Sequence, residues 1–318
     1  MTRGRPVRTV FFGSGSFAVP ILDALDQEQQ VDLVGVVTAP DRPSGRRAEL
    51  TPTPVGRRAR QLDVPLLQPE RVRAQEAIDA IVALKPDLGV LADYGQIIPR
   101  ALLDTPRHGI LNVHPSALPR HRGATPIQAT IASGDPRTGV TVILMDEGLD
   151  TGPIVSQEGW VLEGTERAPE LEAEAARRGA SLLLRSLEPW LTGETRLVDQ
   201  ATAPGSLTRP FRREDARLDW SRPAIELERQ VRANVPWPGA FIETEQGRLG
   251  IIAASAADSE PGDIPGDIVR HGDRAALATG DGRLVLEAVQ LAGRRAMGGD
   301  EFLRGRPSIV GSSVLPGP

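Results

Sequence analysis

The sequence predicts an α/β domain with a Rossmann-like, mostly parallel sheet over residues 1–191, a linker at 192–210, and a small OB-like β-barrel over 211–318. Three observations point there. Through the first half, short apolar runs alternate with helix-patterned segments, as parallel strands covered on both faces require. After Leu191, Gly, Thr and Pro displace the apolar periodicity. Beyond them, Gly, Asp and Pro cut the chain into strand-sized pieces, the pattern of a small barrel. A chain of 318 residues is long enough for two cores.

Taken in order, Val7–Phe12 is a short apolar strand and Phe17–Leu25 has helical spacing. Val31–Val37 is a second strand. Arg71–Leu84 carries an amphipathic helical period that Pro86 stops. Leu88–Ala92, Gly109–Val113, Gly139–Met145 and Ile154–Trp160 supply further strands. Pro169–Leu191, rich in Ala, Leu, Glu and Arg, closes the domain as one long helix. Past the linker, Ala224–Ala233 reads as a short helix. Phe241–Thr244, Leu249–Ala253, Asp267–Arg270, Ala275–Ala278 and Leu284–Leu291 read as strands. The tail Gly311–Pro318 is expected to stay unstructured.

Composition excludes several function classes. No run approaches the ~18 apolar residues that span a bilayer, so no membrane partner is expected. The opening Met-Thr-Arg-Gly-Arg-Pro leads into a strand with no signal-peptide pattern, so a cytoplasmic location is expected. Without cysteine there is no disulfide or thiolate chemistry, and no metal site is expected. The net charge of −5 argues against a surface built wholly to coat nucleic acid. Lys85 is the only lysine, so arginine carries nearly all the positive charge.

Four stretches carry candidate chemistry. Gly13-Ser-Gly-Ser-Phe-Ala18 follows the first strand with the spacing of a dinucleotide fingerprint. A nicotinamide oxidoreductase also needs an acidic residue at the end of the second strand, where the chain reads Val37-Thr38-Ala39-Pro40; the alternative reading is a tight turn. Asp41–Pro54 is too long for a plain connector, and its Arg42, Arg46 and Arg47 suit phosphate. In Asn112-Val-His-Pro-Ser-Ala-Leu-Pro-Arg-His-Arg-Gly123, Asn112 and His114 share one face at a strand's carboxyl end. An amide beside an imidazole suits a carbonyl oxygen that gains negative charge. Met145-Asp-Glu-Gly-Leu-Asp-Thr-Gly152 follows another strand, and a carboxylate there can orient an imidazole or relay a proton.

The second pair of motifs resembles the signature of the formyltetrahydrofolate-dependent formyltransferases. The resemblance implies catalysis by Asn112, His114 and Asp150. It implies folate contacts at Ser116, Ala117, Leu118 and Pro119, where the family reads Ser-Leu-Leu-Pro, and at Tyr94, Ile97 and Ile98 around Tyr94-Gly95 and Ile97-Ile98-Pro99. It implies 10-formyltetrahydrofolate as a cosubstrate, with no cofactor bound permanently. The likeness covers nearly the whole chain and is similar to the branch of the family that acts on methionyl-initiator tRNA, as a monomer. Asp41–Arg46 resembles the basic loop that this branch inserts toward the tRNA acceptor end. Asp215–Trp220, Arg232–Gly239 and Arg294–Gly298 resemble parts of its carboxyl-terminal tRNA-binding domain, so Arg294 and Arg295 join Arg42, Arg46 and Arg47 as expected tRNA contacts. A relative acting on glycinamide ribonucleotide or an amino sugar is the nearest alternative.

The chain departs from the family pattern in four places, one of them the insertion loop, which continues Arg47-Ala48-Glu49 where the family has lysines and is less basic for it. Gly13-Ser14-Gly15 stands where the family reads Gly-Thr-Pro, Asp93 where a small residue is usual, and Ala117 where leucine is usual. The charge also runs against uniform phosphate binding. From Pro210 to Pro318 there are 14 arginines and 16 acidic residues, a net −2. Binding there requires a local patch, for which Arg294, Arg295, Arg304 and Arg306 are near one another in sequence.

Overall fold

The first sheet begins with β1 (Val7–Gly13), whose last five residues are buried. α1 (Ala18–Gln27) buries Ala18, Ile21, Leu22 and Leu25 at helical spacing, and β2 (Val31–Val37) lies parallel to β1. The computed structural model describes residues 5–44, 49–200, 205–245 and 247–315.

The stretch expected as a long loop is a hairpin. β3 (Arg42–Ser44) and β4 (Glu49–Thr51) pair antiparallel, with Arg42 opposite Thr51. α2 (Pro54–Leu62) follows, a helix the apolar pattern does not announce. Its start is set by Thr53, whose hydroxyl accepts the Gly56 N–H at 2.9 Å, and by Pro54 at the first helical position. β5 (Leu66–Leu67) then pairs parallel with β2. α3 (Gln75–Ala83) begins four residues later than the expected Arg71. The Val72 N–H is taken by the Gln96 side chain at 2.8 Å, and Arg71–Ala74 closes a separate turn.

β6 (Leu88–Ala92) and β7 (Ile110–His114) are buried along their whole length, with α4 (Arg100–Leu103) between them. After the short β8 (Arg122–Gly123) and α5 (Pro126–Ser133), β9 (Arg137–Leu144) runs antiparallel to β7. β10 (Ile154–Val161) forms the edge, and α6 (Ala168–Thr192) is the long closing helix. The sheet order is β10-β9-β7-β6-β1-β2-β5. β1, β2, β5, β6 and β7 are parallel to their neighbours among themselves. Chain direction across the sheet reverses between β1 and β6, the switch point where such sheets bind ligands. On one face Val10, Phe12, Leu91 and Ile110 pack with Ile81 and Leu102. On the other, Gly179 of α6 comes so close to Val113 that an added Cβ would lie 2.8 Å from it.

Most of these elements form a first unit, the chain to Pro126, Arg137–Trp160 and Glu172–Thr208, with α5 and the first turn of α6 outside it. Much of the stretch expected as linker is built into it. Val198 bridges Ile154, and β11 (Leu207–Thr208) pairs parallel with β8.

The second unit comprises Ile127–Pro136, Val161–Leu171 and the chain from Arg209. α7 (Ala224–Ala233) packs beside an antiparallel sheet of β12 (Phe241–Thr244), β13 (Gly247–Ala257), β14 (Ile268–His271), β15 (Arg274–Ala278) and β16 (Arg283–Leu291), in the order β12-β13-β16-β15-β14. β17 (Ala296–Gly298) adds to β16 and leads into α8 (Gly299–Gly305). Register shifts at Ile251–Ala254 let β13 bend as it follows β16. Leu227, Val231, Ile242, Ile251, Leu286 and Phe302 share the core.

Of the tail expected to be loose, the described residues 311–315 are held in the sheet. Ser313 bridges Asp267 and Val314 bridges Thr244, so one short segment joins both edges of the sheet and closes it on itself. Backbone pairing to two strands replaces the side-chain pattern that the tail lacks.

Candidate active site

Asn112 and His114 alternate on β7, and both are 5% exposed. They sit opposite Ile143 and Thr141 of β9. Asp150 comes from the loop after β9 and reaches the same point. Its carboxylate accepts the Asn112 Nδ2–H at 3.1 Å through Oδ1 and the Gly123 N–H at 2.8 Å through Oδ2. His114 Nδ1 lies 3.6 Å from Oδ2. The other ring nitrogen, Nε2, is 2.9 Å from the His121 carbonyl oxygen, so Nε2 carries its proton, since a carbonyl only accepts. Both nitrogens of the imidazole therefore face acceptors. The three residues are aimed at one another, with the carboxylate at the centre of the group.

Residues to which the motifs give no role hold this group. Asp150 is a non-glycine residue in the left-handed region, at φ 54°. Gln200 donates to the carbonyls of both Asp150 and Gly152, at 2.8 Å each, and accepts from Arg122 Nε at 2.9 Å and Nη2 at 2.6 Å. Ser206 bonds both the backbone N–H and Nδ1 of His121. Arg122 and Gly123 close the Asn112–Gly123 motif; Gln200 and Ser206 lie where a bare linker was expected.

The residues expected to meet folate take different positions. Ser116 is fully buried and donates to the Arg120 carbonyl at 2.6 Å. Leu118 is buried too, with its N–H on Thr141 and its carbonyl receiving Gln157. Ala117 and Pro119 are half-buried beside them. Tyr94 and Ile98 belong to the core below the sheet, whereas Ile97 is 82% exposed. The Tyr94 hydroxyl is buried with no hydrogen-bond partner among the described residues, and that burial pushes its pKa upward. A cleft of about 680 Å³ opens between α4 and the loop after β9, lined in part by Leu103, Met145, Asp146 and Glu147. A second, largely apolar cleft of about 420 Å³ lies between Leu67 and Ile81, and neither cleft is lined by any of the three central residues.

The two departures at the switch point explain each other. The Asp93 carbonyl accepts the N–H groups of Ser14 and Gly15. The Asp93 carboxylate lies over Gly15, where an added Cβ would be 1.7 Å from Oδ2. A side chain at position 15 requires the aspartate side chain to move. Packing of the carboxyl tip first, and the nearby Glu172 charge second, push the Asp93 pKa up to about 7. The residue as a whole is exposed, so the surroundings of the carboxyl tip, rather than the exposure of the residue, set the direction. Thr38, where the oxidoreductase reading needs an acid, is buried against Ser14 and Thr53.

Of the arginines expected to meet tRNA, Arg42 is ion-paired with Glu70 on the surface at 2.5 Å. Arg46 and Arg47 lie outside the described residues. Arg294 and Arg295 are exposed in the turn between β16 and β17, and neither has a carboxylate partner among the described residues. Arg304, by contrast, pairs with Asp300 at 2.8 Å. Among the described residues no group of three or more His, Asp or Glu is placed to hold a metal ion, and no helix is long and apolar enough to cross a membrane.

Comparison with known proteins bears on both units. Residues 7–187 match the family model described as formyl transferase, and residues 210–307 match the formyl transferase C-terminal domain. A methionyl-tRNA formyltransferase of Chloroflexus aurantiacus is 43% identical over 301 residues, covering 94% of this chain and 97% of that one. One from Halorhodospira halophila is 43% identical over 312 residues, covering 96% and 99%. Among solved structures, WlaRD, a sugar 3N-formyl transferase, superposes with a TM-score of 0.66 at 16% identity, covering 92% of this chain and 100% of that one. HypX from Aquifex aeolicus in complex with tetrahydrofolic acid gives a TM-score of 0.60 at 16% identity, covering 94% and 47%. At such identities the two structures establish the shared fold alone.

Proposed function

The chain belongs to the methionyl-tRNA formyltransferase family, and from that premise we propose that it moves a formyl group from 10-formyltetrahydrofolate to the α-amino group of methionyl-initiator tRNA. The family draws its formyl groups from folate derivatives, used here as a cosubstrate. The amine nitrogen bonds to the formyl carbon, the bond from that carbon to the folate nitrogen breaks, and the amine proton ends on that nitrogen. Nothing is oxidised or reduced. Asn112 donates to the oxygen as it gains charge, with the His114 imidazole beside it, while Asp150 orients His114 and takes part in moving the proton.

The observation that supports these roles above all others is the Asp150 carboxylate held against both Asn112 and His114. No protein nucleophile is required, and the chain has no cysteine to offer one. The cleft beside Leu103 and Met145 is lined as far as Gly148, in the loop that carries Asp150, and this supports placing the donor's ring system there. An enzyme that acts on initiator tRNA belongs in the cytoplasm, beside the translation apparatus.

The deciding experiment offers the enzyme 10-formyltetrahydrofolate with methionyl-initiator tRNA, free methionine, glycinamide ribonucleotide or an amino sugar nucleotide. Transfer to the charged tRNA, with kcat/KM at least about 10³ above every small amine, is expected from binding through two units. Equal or better transfer to a small amine overturns the assignment.

A further inference from the structure

We propose that Gln200 is a positioning residue for the transfer reaction, holding the Asp150 carboxylate in place through the carbonyls of Asp150 and Gly152. The proposal rests on the reading of Asp150 as a catalytic group. Gln200 lies 50 residues from Asp150 in sequence, in a segment with no apolar period. Every hydrogen-bonding position of its amide is nonetheless used. The two N–H groups go to the Asp150 and Gly152 carbonyls, and the oxygen accepts twice from Arg122. A flipped amide would set an NH2 group against the guanidinium and an oxygen against two carbonyls, so only one orientation fits.

The connection closes into a ring. Arg122 is followed by Gly123, whose N–H donates to Asp150 Oδ2 at 2.8 Å. One side of Asp150 is therefore held through its backbone by Gln200, and the other through its carboxylate by the residue after Gln200's own partner. Asp150 needs such support. At φ 54° it occupies a conformation that non-glycine residues keep only when their surroundings impose it. Gly152 is equally confined, since an added Cβ would lie 1.8 Å from the Leu144 carbonyl oxygen. Gln200 makes no hydrogen bond to Asn112, His114 or the Asp150 carboxylate, so its effect on the chemistry passes through the Asp150 backbone.

A mutant cycle tests this. Gln200→Ala removes all four bonds. Gln200→Glu keeps the size and the Arg122 contacts but loses both donors to the loop, and it serves if the alanine variant folds poorly. Each is expected to lower single-turnover formyl transfer about 10- to 100-fold, with KM for the folate donor within about twofold of wild type. In an Asp150→Asn background, adding Gln200→Ala is expected to cause no further loss, because the group it positions has already been disabled. Wild-type rates in both Gln200 variants overturn the proposal, as does an undiminished fold-loss in the Asp150→Asn background, which marks a role in general folding. If Asp150→Asn itself turns over at the wild-type rate, the catalytic reading of Asp150 fails, a result distinct from either.

Discussion

Asn112 and Asp150, 38 positions apart in the chain, meet through a single hydrogen bond of 3.1 Å from the amide to the carboxylate. That bond uses one of the two N–H groups on the Asn112 amide and leaves the other to meet an incoming oxygen. Replacing Asn112 by alanine is expected to lower turnover by roughly 10²–10³, as loss of one oxyanion donor does elsewhere. The fold should survive, because the Asp150 carboxylate keeps the Gly123 N–H. Single-turnover kinetics with a thermal melt check both halves. Wild-type transfer by a well-folded Asn112→Ala protein removes the residue from the mechanism.

How much of this group is legible in the sequence follows from where its parts lie in the chain. Asn112 and His114 are two apart on one strand, so the strand's own period of two puts them on one face. Asp150 stands out because acidic residues and glycines crowd an otherwise ordinary turn. Gln200 and Ser206 do not, because they act through single polar contacts from a segment with no period to read. The missed helices have similar causes. α2 buries only Val55, Gly56 and Ala59 among its arginines, and α5 buries Ile127, Thr130 and Ile131, β-branched residues that favour strands.

Asp93 and Gly15 allow a test that does not involve catalysis. In the native background, Gly15→Ala places a methyl group against the Asp93 carboxylate and is expected to cost about 1–3 kcal/mol, the usual range for overpacking. In an Asp93→Ala background the obstacle is gone, and the same change should be neutral or stabilise by up to about 1 kcal/mol by restricting the unfolded chain. Chemical denaturation of the four proteins measures the difference. Equal effects of Gly15→Ala in the two backgrounds mean that the aspartate is not what keeps position 15 a glycine.

The pH dependence of stability provides a second view of Asp93. Its pKa is about 7 in the folded protein against 3.8 for an unperturbed aspartate. Between those values the folded state keeps a proton that the unfolded chain has released, so this group makes stability fall as pH rises through the window and adds nothing further above it. Asp93→Asn removes that fall. The melting temperature of the variant minus that of wild type should therefore climb from about pH 4 to about pH 8. A flat difference across that range shows that the carboxyl titrates alike in both states.

Net charge alone argues against tRNA binding by the second unit, but the arrangement of its charges does not. Arg222, Arg232, Arg248, Arg274, Arg283 and Arg304 each have a carboxylate within 3.2 Å, so their charge is already answered inside the protein. Arg294 and Arg295 stand exposed in adjacent positions and are paired with no carboxylate among the described residues. A phosphate approaching this turn meets uncompensated charge on a unit that is negative overall. Replacing both by alanine is expected to raise KM for the tRNA severalfold and leave KM for the folate donor unchanged. It should also flatten the slope of log affinity against log salt by about 1.5, since each lost contact releases one fewer condensed counterion. Arg304→Ala, which removes an arginine already bound to Asp300, should leave that slope where it is. Equal salt slopes for wild type and the Arg294→Ala, Arg295→Ala protein would assign tRNA attraction to another part of the chain, the arginines of the Asp41–Pro54 insertion first among them.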